Sequence, residues 1–473
     1  MKPIQTLLEN RLIYFSLIVL IAFFFSLYQI NIENLWYDEV ASFWVADPNI
    51  SFKETNERWL KSEHTPILYY IIIKFFFKFF GYDPNLLRIV NIPIFIIALI
   101  YFNLILSKIS KNSLFIFFGS LLFIFNSFLI SYAQEGRVFI FFCMMFLILI
   151  NQYMLLYQSN KNIPYIKFQY LILFLIIFTI LNTFIFSFLI LGSLVFYEFF
   201  LKKNKTDFII LSSIFISIFL FILLNYQFLL NLIKFEAPIQ QTNMSFYYNF
   251  YFRQFFGSKI MGIIFLIIFL FSSYKFIKSH KKNENITLLF VIFFFSYIIP
   301  IIYGFMFKPI LQDKYIIYIV PIIICVISYS VTHYLKYKTQ NILVIFLIIL
   351  SISNQILKNI KADTNKPMFK SSIKKIIEIN QSKLIFVTYT DNKNNLVFSQ
   401  MQNYFKNLPL IKDKNLSIIS KVPNSDFFLI CYDPSNTYDL CLKDSKIMFP
   451  KHDLYDQVKF YQVILFHYNK KTL

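Results

Sequence analysis

Charged residues are scarce in this sequence, and apolar residues are abundant. Of the 473 residues, 15% are charged and 58% are hydrophobic, including 63 phenylalanines and 32 tyrosines. The mean hydropathy is +0.60. A soluble globular protein cannot bury that much apolar surface, so this class is excluded. Repeated apolar runs of about 20 residues instead predict a polytopic α-helical membrane protein.

Arginine is almost absent, although the formal net charge is +20. Most basic residues are lysines at the ends of apolar runs, so the charge predicts no nucleic-acid partner. In a lysine-biased chain an arginine is informative, because its guanidinium can hold a phosphate or carboxylate with two parallel hydrogen bonds. The arginines are Arg11, Arg58, Arg88, Arg137 and Arg253.

No small-residue cleavage site follows the first apolar run, residues 13–30. That run is also too long and uninterrupted for a signal peptide, which predicts an uncleaved first span. Eleven spans are predicted in all, and no tandem repeat is found. They cover residues 12–31, 87–107, 113–131, 138–157, 169–182, 184–200, 207–225, 259–277, 285–303, 314–334 and 341–357.

Loop charge supports dividing residues 169–200 into two spans at Asn182-Thr183. With eleven spans and an internal N-terminus, every cytoplasmic connection is basic, as the positive-inside rule requires. A single span there would place the later lysines outside. These connections carry Lys108, Lys111, Lys161, Lys167, Lys202, Lys203, Lys205, Lys278, Lys281, Lys282, Lys336 and Lys338. Residues 32–86, 131–137, 225–258, 304–313 and everything after Leu357 are then predicted to be extracytoplasmic.

Hydropathy falls after Leu357, which predicts a transmembrane domain of residues 1–357, including the outer loop 32–86, and a soluble extracytoplasmic α/β domain of residues 358–473. At about 115 residues the second domain is large enough for a core of its own. Patterning predicts helices at 371–379 and 394–405 and strands at 384–390, 427–432 and 460–467. It has no glycine-rich phosphate loop, so no nucleotide site is assigned to it.

Cysteine is rare, with four residues. Cys143 and Cys325 lie inside apolar runs, which predicts packing roles. Cys431 and Cys441 stand ten residues apart in the polar C-terminal part. They form a disulfide if that part faces an oxidising compartment, and otherwise remain free thiols; the sequence leaves both open.

The sequence Trp36-Tyr37-Asp38-Glu39 places two carboxylates beside aromatic residues typical of the membrane interface. One interpretation is a general base that removes the proton from an acceptor hydroxyl during glycosyl transfer. The other is a solvated acidic pair at the start of a helix that begins at Val40.

Glu63 and His64 precede an apolar segment, residues 67–80, that is short for a span and contains Lys74 and Lys78. Such a segment suits a helix lying in the membrane interface. His64 could contact a phosphate or a metal ion, and Glu63 could be a metal ligand. Ordinary loop polarity is the alternative.

Two further polar groups stand at predicted span ends on the same side. Glu135 and Arg137 lie in a tight turn between two apolar runs, where Arg137 could clamp a lipid-linked phosphate. Lys314, followed by Tyr315, begins another span and could be a second phosphate contact. Alternatively, Arg137 and Lys314 serve only to anchor their helices at the membrane interface.

Four of these pieces together resemble GT-C class membrane glycosyltransferases. The family is that of the protein O-mannosyltransferases and lipid A aminoarabinose transferases, glycosyltransferase family 39. The matching pieces are WYDEV, EHTPILYYIIIKFFFKFFG with LLRIVNIPIF, ISYAQEGRVFIF and DKYIIYIVP, in the family's order over residues 36–321. Two positions depart from the family pattern: Thr65 replaces the first proline of a common His-Pro-Pro form, and Lys314 stands where arginine often precedes the tyrosine.

The resemblance implies an inverting transfer from an undecaprenyl- or dolichyl-phosphate sugar at the extracytoplasmic face of a bacterial inner membrane. It implies Asp38 as the base, with Glu39 beside it. It also implies His64, Arg137, Lys314 and Tyr315 as donor-phosphate contacts, and Glu63 and Glu135 as supporting groups or possible ligands of a divalent metal. The acceptor is a glycan, lipid or protein, and the sequence identifies neither acceptor nor sugar.

Two other classes of function remain as alternatives. A transporter or flippase of a lipid-linked glycan would also need many spans, but it should bury ionisable groups at mid-membrane depth. The charges in this sequence lie at span ends and in loops. A simple membrane anchor for the C-terminal domain would not need eleven spans.

Overall fold

The structure is a computed structural model, and it describes most of the chain. The described residues are 11–28, 30, 34–158, 166–202, 207–234, 244–279, 283–360, 366–379, 383–389, 395–419, 424–433, 441 and 449–471. Lys161, Lys203, Lys205, Lys281 and Lys282, which enter the topology prediction, lie outside them.

Most of the described chain is α-helical. The first helices are α1 (Arg11–Leu27), α2 (Tyr37–Val45), α3 (Phe52–Ser62), α4 (Leu68–Phe80), α5 (Asn91–Ile109), α6 (Ser113–Ile124), α7 (Ser127–Ala133), α8 (Phe139–Gln158), α9 (Ile166–Leu181) and α10 (Ser187–Phe196). They are followed by α11 (Phe208–Leu224), α12 (Tyr226–Lys234), α13 (Met244–Asn249), α14 (Phe252–Phe255), α15 (Lys259–Lys278), α16 (Glu284–Met306), α17 (Ile319–Tyr334) and α18 (Tyr337–Ile360). The C-terminal helices are α19 (Phe369–Ile379), α20 (Asn395–Asn407) and α21 (Pro409–Asp413).

Apolar helices occupy every segment predicted as a span, so the chain is a multi-pass membrane protein. By length and composition, five of the described helices can cross a membrane, or seven if each of two bent pairs counts as one span. Four further apolar helices are shorter, between 10 and 17 residues. The number of crossings is therefore not fixed at the predicted eleven.

The predicted division of residues 169–200 is confirmed as a break between two helices. Helix α9 ends at Leu181 and α10 begins at Ser187. The two helices have different main neighbours, since α9 packs on α8 and α11 whereas α10 packs on α16. A single continuous helix is excluded.

A second break, between α6 and α7, was not predicted. The two helices meet at an angle of 56° within the segment predicted as one span, residues 113–131. Asn126 caps the new helix, because its side-chain oxygen accepts the Leu129 N–H at 3.0 Å. An asparagine N-cap compensates for the backbone N–H groups that a helix start leaves unsatisfied.

The chain divides into two compact units. One unit holds the apolar helices and comprises residues up to Tyr28, His64–Tyr69 and Asn91–Asn359. The other comprises Gln29–Glu63, Tyr70–Val90 and Ile360–Leu473. The second unit includes part of the outer loop together with the C-terminal residues, since α2 packs on α20.

The C-terminal residues form a five-stranded sheet of order β2-β1-β3-β5-β4. The strands are β1 (Leu384–Tyr389), β2 (Ser417–Ile419), β3 (Phe427–Tyr432), β4 (His452–Phe460) and β5 (Val463–Lys470). Strand β1 runs parallel to β2 and β3, whereas β5 is antiparallel to β3 and β4. Cys431 and Cys441 form a disulfide within the buried cluster of this sheet, with their Cα atoms 6.1 Å apart. The open question about this pair is answered in favour of the bond.

The predicted third strand, residues 460–467, is wrong in its bounds. A hairpin occupies this region, and its turn at Tyr461 and Gln462 follows β4. Gln462 adopts a positive φ of 55°, as a tight turn requires. Strand β4 lies at the sheet edge with mostly exposed side chains, so its sequence lacks the apolar alternation on which strand prediction depends.

Candidate active site

The start of α2 brings Asp38 and Glu39 into its first turn. The helix begins at Tyr37, earlier than the predicted start at Val40. The Glu39 carboxylate accepts the Trp36 N–H at 3.0 Å, which satisfies a backbone donor just ahead of the helix. Two acids near the positive end of the helix dipole also stabilise this turn.

Glu39 forms a buried ion pair with Arg88. Its side chain is 0% exposed and that of Arg88 is 1% exposed. The contact is bidentate, with Nε of Arg88 at 2.8 Å from Oε1 and Nη2 at 2.7 Å from Oε2. The guanidinium also donates to the carbonyls of Ile30 and Asn34, at 2.9 and 2.8 Å. Glu39 is therefore a structural partner of Arg88, and Arg88 fixes the chain that leads into α2.

Asp38 has the opposite environment. Its side chain is exposed, although its neighbour Glu39 is fully buried. Successive helical side chains diverge, so the two acids cannot act on one atom. Within its unit, Asp38 is the acid of this pair that a substrate can reach.

Glu63 lies inside the same unit and faces α2. It ends α3 as its C-cap residue and is 4% exposed. Its Oε1 lies 3.4 Å from Oγ of Ser42, and that hydroxyl lies 3.1 Å from the Asp38 carbonyl oxygen. Glu63 thus supports the first turn of α2 through Ser42.

Lys74 of α4 has a buried role that the sequence did not suggest. Its Nζ contacts the carbonyl of Asp47 and donates to that of Ile50 at 2.8 Å, which closes the loop between α2 and α3. Burial lowers the pKa of Lys74, while the nearby Asp47 carboxylate opposes that shift. A lysine inside this short apolar helix therefore holds the loop between α2 and α3.

In the helical unit, Asn91 organises the turn that carries Glu135 and Arg137. Its Nδ2 donates to the carbonyl of Glu135 and, at 3.2 Å, to that of Arg137. Its Oδ1 accepts from the Tyr69 hydroxyl at 3.0 Å. One buried asparagine thereby joins the turn to the segment His64–Tyr69.

His64 and Arg137 differ in exposure. His64 is exposed at the start of this segment, whereas Arg137, two residues before α8, is 9% exposed. Both belong to the helical unit, and the Asn91 bridge links their two segments. Sequence reasoning missed Asn91, whose only signal was an amide at the start of an apolar run.

Lys314 and Tyr315 lie against the first residues of α8. The Nζ of Lys314 is 5.5 Å from the centre of the Phe139 ring and 5.8 Å from that of Tyr315. The Tyr315 ring stacks on Phe139 at 6.2 Å and also contacts Phe184. Because Phe139 follows Arg137 by two residues, these contacts bring the two predicted phosphate-binding segments together. Aromatic faces stabilise a cation without neutralising it.

Asp313 adds an acid next to Lys314. Burial raises the pKa of Asp313, while the Lys314 backbone N–H, 2.8 Å from its Oδ1, opposes the shift. Asp313 is the first residue of the piece DKYIIYIVP, but no role was predicted for it from the sequence. Its raised pKa adds a titratable group to this cluster of cations and rings.

A metal site is not evident in the described part of the chain. Among those residues, no group of three or more His, Cys, Asp or Glu side chains is arranged to hold a metal ion. Glu63 and Glu135, expected as possible ligands, belong to different compact units.

The described chain combines a bundle of apolar helices, a loop with short helices and a small C-terminal α/β sheet, and this fold is similar to that of several solved structures. No family model and no curated protein sequence matches the chain.

Several solved structures are similar to this chain in fold. The apo structure of ArnT from Cupriavidus metallidurans has a TM-score of 0.60 and 8% identity, with 97% of this chain and 98% of that chain covered. ArnT bound to undecaprenyl phosphate has a TM-score of 0.57 at the same identity and coverage. The Archaeoglobus fulgidus oligosaccharyltransferase tethered to an acceptor peptide has a TM-score of 0.54 and 10% identity, covering 97% of this chain and 74% of that one. At these identities the likeness is one of fold.

Proposed function

We propose that this protein transfers a sugar from a polyprenyl-phosphate-linked donor to an acceptor hydroxyl with inversion, and that Asp38 is the general base. The observation that carries the proposal is the environment of Asp38. It is an exposed carboxylate in the first turn of α2, and that turn is fixed by the buried Glu39–Arg88 pair. A base must be held in place while remaining accessible to the proton that it removes.

The reaction needs a single displacement. Asp38 takes the proton of the acceptor hydroxyl as the acceptor oxygen forms a bond to the anomeric carbon. The bond between that carbon and the phosphate oxygen breaks, and the polyprenyl phosphate leaves with the bonding electrons. Attack opposite the leaving group inverts the anomeric centre.

Arg137, Lys314 and His64 are the proposed contacts of the donor phosphate, with Tyr315 beside Lys314. Cations that meet the leaving phosphate stabilise the negative charge that develops on it. The ring of Phe139 lies under Lys314 and keeps this cation at the start of α8. ArnT, which shares the fold, has been solved with undecaprenyl phosphate, and this supports a lipid-phosphate donor here.

The proposed orientation places α2 and the C-terminal sheet outside the cytoplasm, in a bacterial inner membrane. The Cys431–Cys441 disulfide supports this, because such bonds persist in oxidising compartments. The basic connections support it through the positive-inside rule. We expect a reporter enzyme that is active only outside the cytoplasm to be active when it is fused after Leu473. An inactive fusion, with the reporter located in the cytoplasm, would reject the proposed orientation.

The positions of buried charges favour an enzyme over a transporter. In the described part of the helical unit, the buried charged residues are Arg137 and Glu198, and the side chain of Lys202, which pairs with Glu198 at 2.8 Å, is 7% exposed. Arg137 precedes α8, and Glu198 lies just after α10. A transporter is expected to bury ionisable groups at mid-membrane depth.

Mass spectrometry of surface glycans from cells with and without the protein tests the proposal. A glycan mass that requires the protein should differ by one sugar residue from its precursor, and it should also be missing in cells that produce Asp38→Asn. Repeating the transfer in membranes with a chelator determines whether a divalent metal takes part. An identical glycan profile in the presence and absence of the protein would reject the activity.

A further inference from the structure

Helix α20 of the C-terminal sequence packs on α2, the helix that carries Asp38. Both helices belong to the same compact unit. Among the described side chains of α20, those that are buried are apolar apart from Gln400, which is 0% exposed. These apolar side chains are Val397, Met401, Tyr404 and Phe405.

Gln400 binds the residue next to Asp38. The hydroxyl of Tyr37 donates to Oε1 of Gln400 at 2.5 Å. Because Tyr37 is the first residue of α2, this bond connects α20 to the turn that holds Asp38. Burial of the Gln400 amide is costly, and in the described residues its Oε1 is hydrogen-bonded whereas its Nε2 has no partner. The Tyr37 bond therefore favours the one position of α2 on α20 in which Oε1 is satisfied.

A second contact fixes the middle of α2. The Tyr82 hydroxyl lies 2.8 Å from Oδ1 of Asn403 on α20 and 2.9 Å from the carbonyl oxygen of Phe43 on α2. The rings of Tyr82 and Phe43 stack with their centres 4.0 Å apart. Together with the Gln400 bond, this contact holds α2 at two points along its length.

Helix α20 also interacts with the buried Glu39–Arg88 ion pair. Tyr404 of α20 is 1% exposed and lies within electrostatic range of Glu39 and Arg88. Burial raises the pKa of Tyr404, so its hydroxyl remains protonated beside the pair. The Lys370 backbone N–H, at the start of α19, donates to Oδ1 of Asn34 at 3.0 Å. C-terminal residues therefore contact both α2 and the residues that precede it.

We propose that α20 is a positioning element for Asp38, and that Gln400 is the positioning residue through which the C-terminal domain controls catalysis. This inference rests on the proposed function in one respect only, the role of Asp38 as base. The docking of α2 on α20 is a separate statement and is tested separately. A base displaced by about 1 Å can lose roughly a hundredfold in rate.

The variants Gln400→Met and Tyr37→Phe remove the bond from either side while keeping the shapes of the side chains. Gln402→Met is the matched control, because Gln402 is on the same helix and donates to the Ile419 carbonyl at 3.2 Å, away from α2. Hydrogen–deuterium exchange of the amides in α2 measures the docking in the full-length protein. The kcat and the donor KM of the transfer identified by glycan mass spectrometry measure the consequence.

We expect Gln400→Met and Tyr37→Phe to increase exchange in α2 and to lower kcat by roughly 10- to 100-fold, with donor KM within about twofold of the parent. Gln402→Met should change neither. The double variant should be no slower than the slower single variant, because both substitutions remove the same bond.

The proposal is overturned if Gln400→Met matches Gln402→Met in both exchange and kcat. It is also overturned if α2 exchanges faster while kcat stays at the parent value. If the parent protein transfers no sugar, the proposed function fails, but the exchange data still decide whether α20 holds α2.

Discussion

The two groups of candidate residues are held in contrasting ways. Asp38 stands on a turn fixed by polar contacts, among them the Glu39–Arg88 pair at 2.7 Å and the Tyr37–Gln400 bond. Lys314 and the start of α8 are held by aromatic rings and by backbone carbonyls that accept from Asn91. A general base needs a fixed direction, which hydrogen bonds supply, whereas the rings around Lys314 stabilise its charge by cation–π contact.

This contrast shows how buried charge is used in the chain. Glu39 is paired completely, so its charge serves the fold. Arg137, which is 9% exposed, lies two residues before α8 in a turn whose carbonyls accept from Asn91. The same residue types therefore carry structure in one unit and, on our proposal, ligand binding in the other.

The largest effect is expected when the carboxylate of Asp38 itself is removed. Asp38→Asn keeps the shape and removes the proton acceptor, so we expect turnover to fall by roughly a hundred- to ten-thousandfold with donor binding retained. Single-turnover transfer with purified protein measures this. Glu39→Gln should slow the folded protein less, since Glu39 is 0% exposed and its carboxylate pairs with Arg88. Near-normal transfer by Asp38→Asn would exclude it as the base.

The buried pair should matter most for stability. Arg88→Met leaves Glu39 as an uncompensated buried charge, and we expect a loss of about 3 to 5 kcal/mol in the free energy of unfolding. Thermal unfolding in detergent measures the change as a drop in Tm. The double variant Glu39→Met with Arg88→Met should recover part of that drop.

An exposed ion pair gives the matched control. Lys375 and Glu378 are 3.2 Å apart with side chains 42% and 66% exposed. Lys375→Met should cost less than about 0.5 kcal/mol. Equal Tm shifts for Arg88→Met and Lys375→Met would contradict the structural role of the buried pair.

Arg137 tests the proposed phosphate contact in the helical unit. Arg137→Lys keeps the charge but loses the bidentate geometry, so we expect donor KM to rise by roughly 10- to 100-fold, with kcat changed less. Titration of the donor in the transfer assay measures it. Arg253→Lys, at an exposed position on α14, should leave KM unchanged. Donor KM at the parent value in both Arg137→Lys and Arg137→Ala would remove Arg137 from the site.

The smallest expected effect concerns pH and Asp313. Burial raises the folded-state pKa of Asp313 above its unfolded value of about 3.9, so the folded state binds this proton more tightly. Stability from this group is complete at low pH and is lost as the pH rises through the folded pKa. Asp313→Asn should therefore gain Tm relative to the parent as the pH is raised from 4 to 8. A difference in Tm that is the same at both pH values would contradict the raised pKa.

Local pattern predicted much of the fold. The apolar runs gave the helices α1, α5 and α8 to within a few residues, and strand β3 was predicted at its observed bounds. The break between α6 and α7 was missed, because Asn126 lies in a continuous apolar run. Strand β4 was missed because its alternation is lost at an exposed sheet edge.

The site was predicted less completely than the fold. The acidic pair, the Glu135–Arg137 turn and Lys314 were chosen from their places at span ends. The residues that support them were not found, because they are far from their partners in sequence. Arg88 is 49 residues from Glu39, Asn91 is 44 and 46 residues from Glu135 and Arg137, and Gln400 is 363 residues from Tyr37. Sequence spacing carries no signal for contacts at such separations.

By itself, the sequence determined the class of protein, since burial in a bilayer depends on the length and composition of each apolar run. It also determined which polar residues stand at the ends of those runs. Only the tertiary structure decided that Glu39 is buried and Asp38 exposed, and that the C-terminal domain supports α2. The physical reason is that a carboxylate has the same chemistry in every sequence context, and its role depends on the partners that folding brings to it.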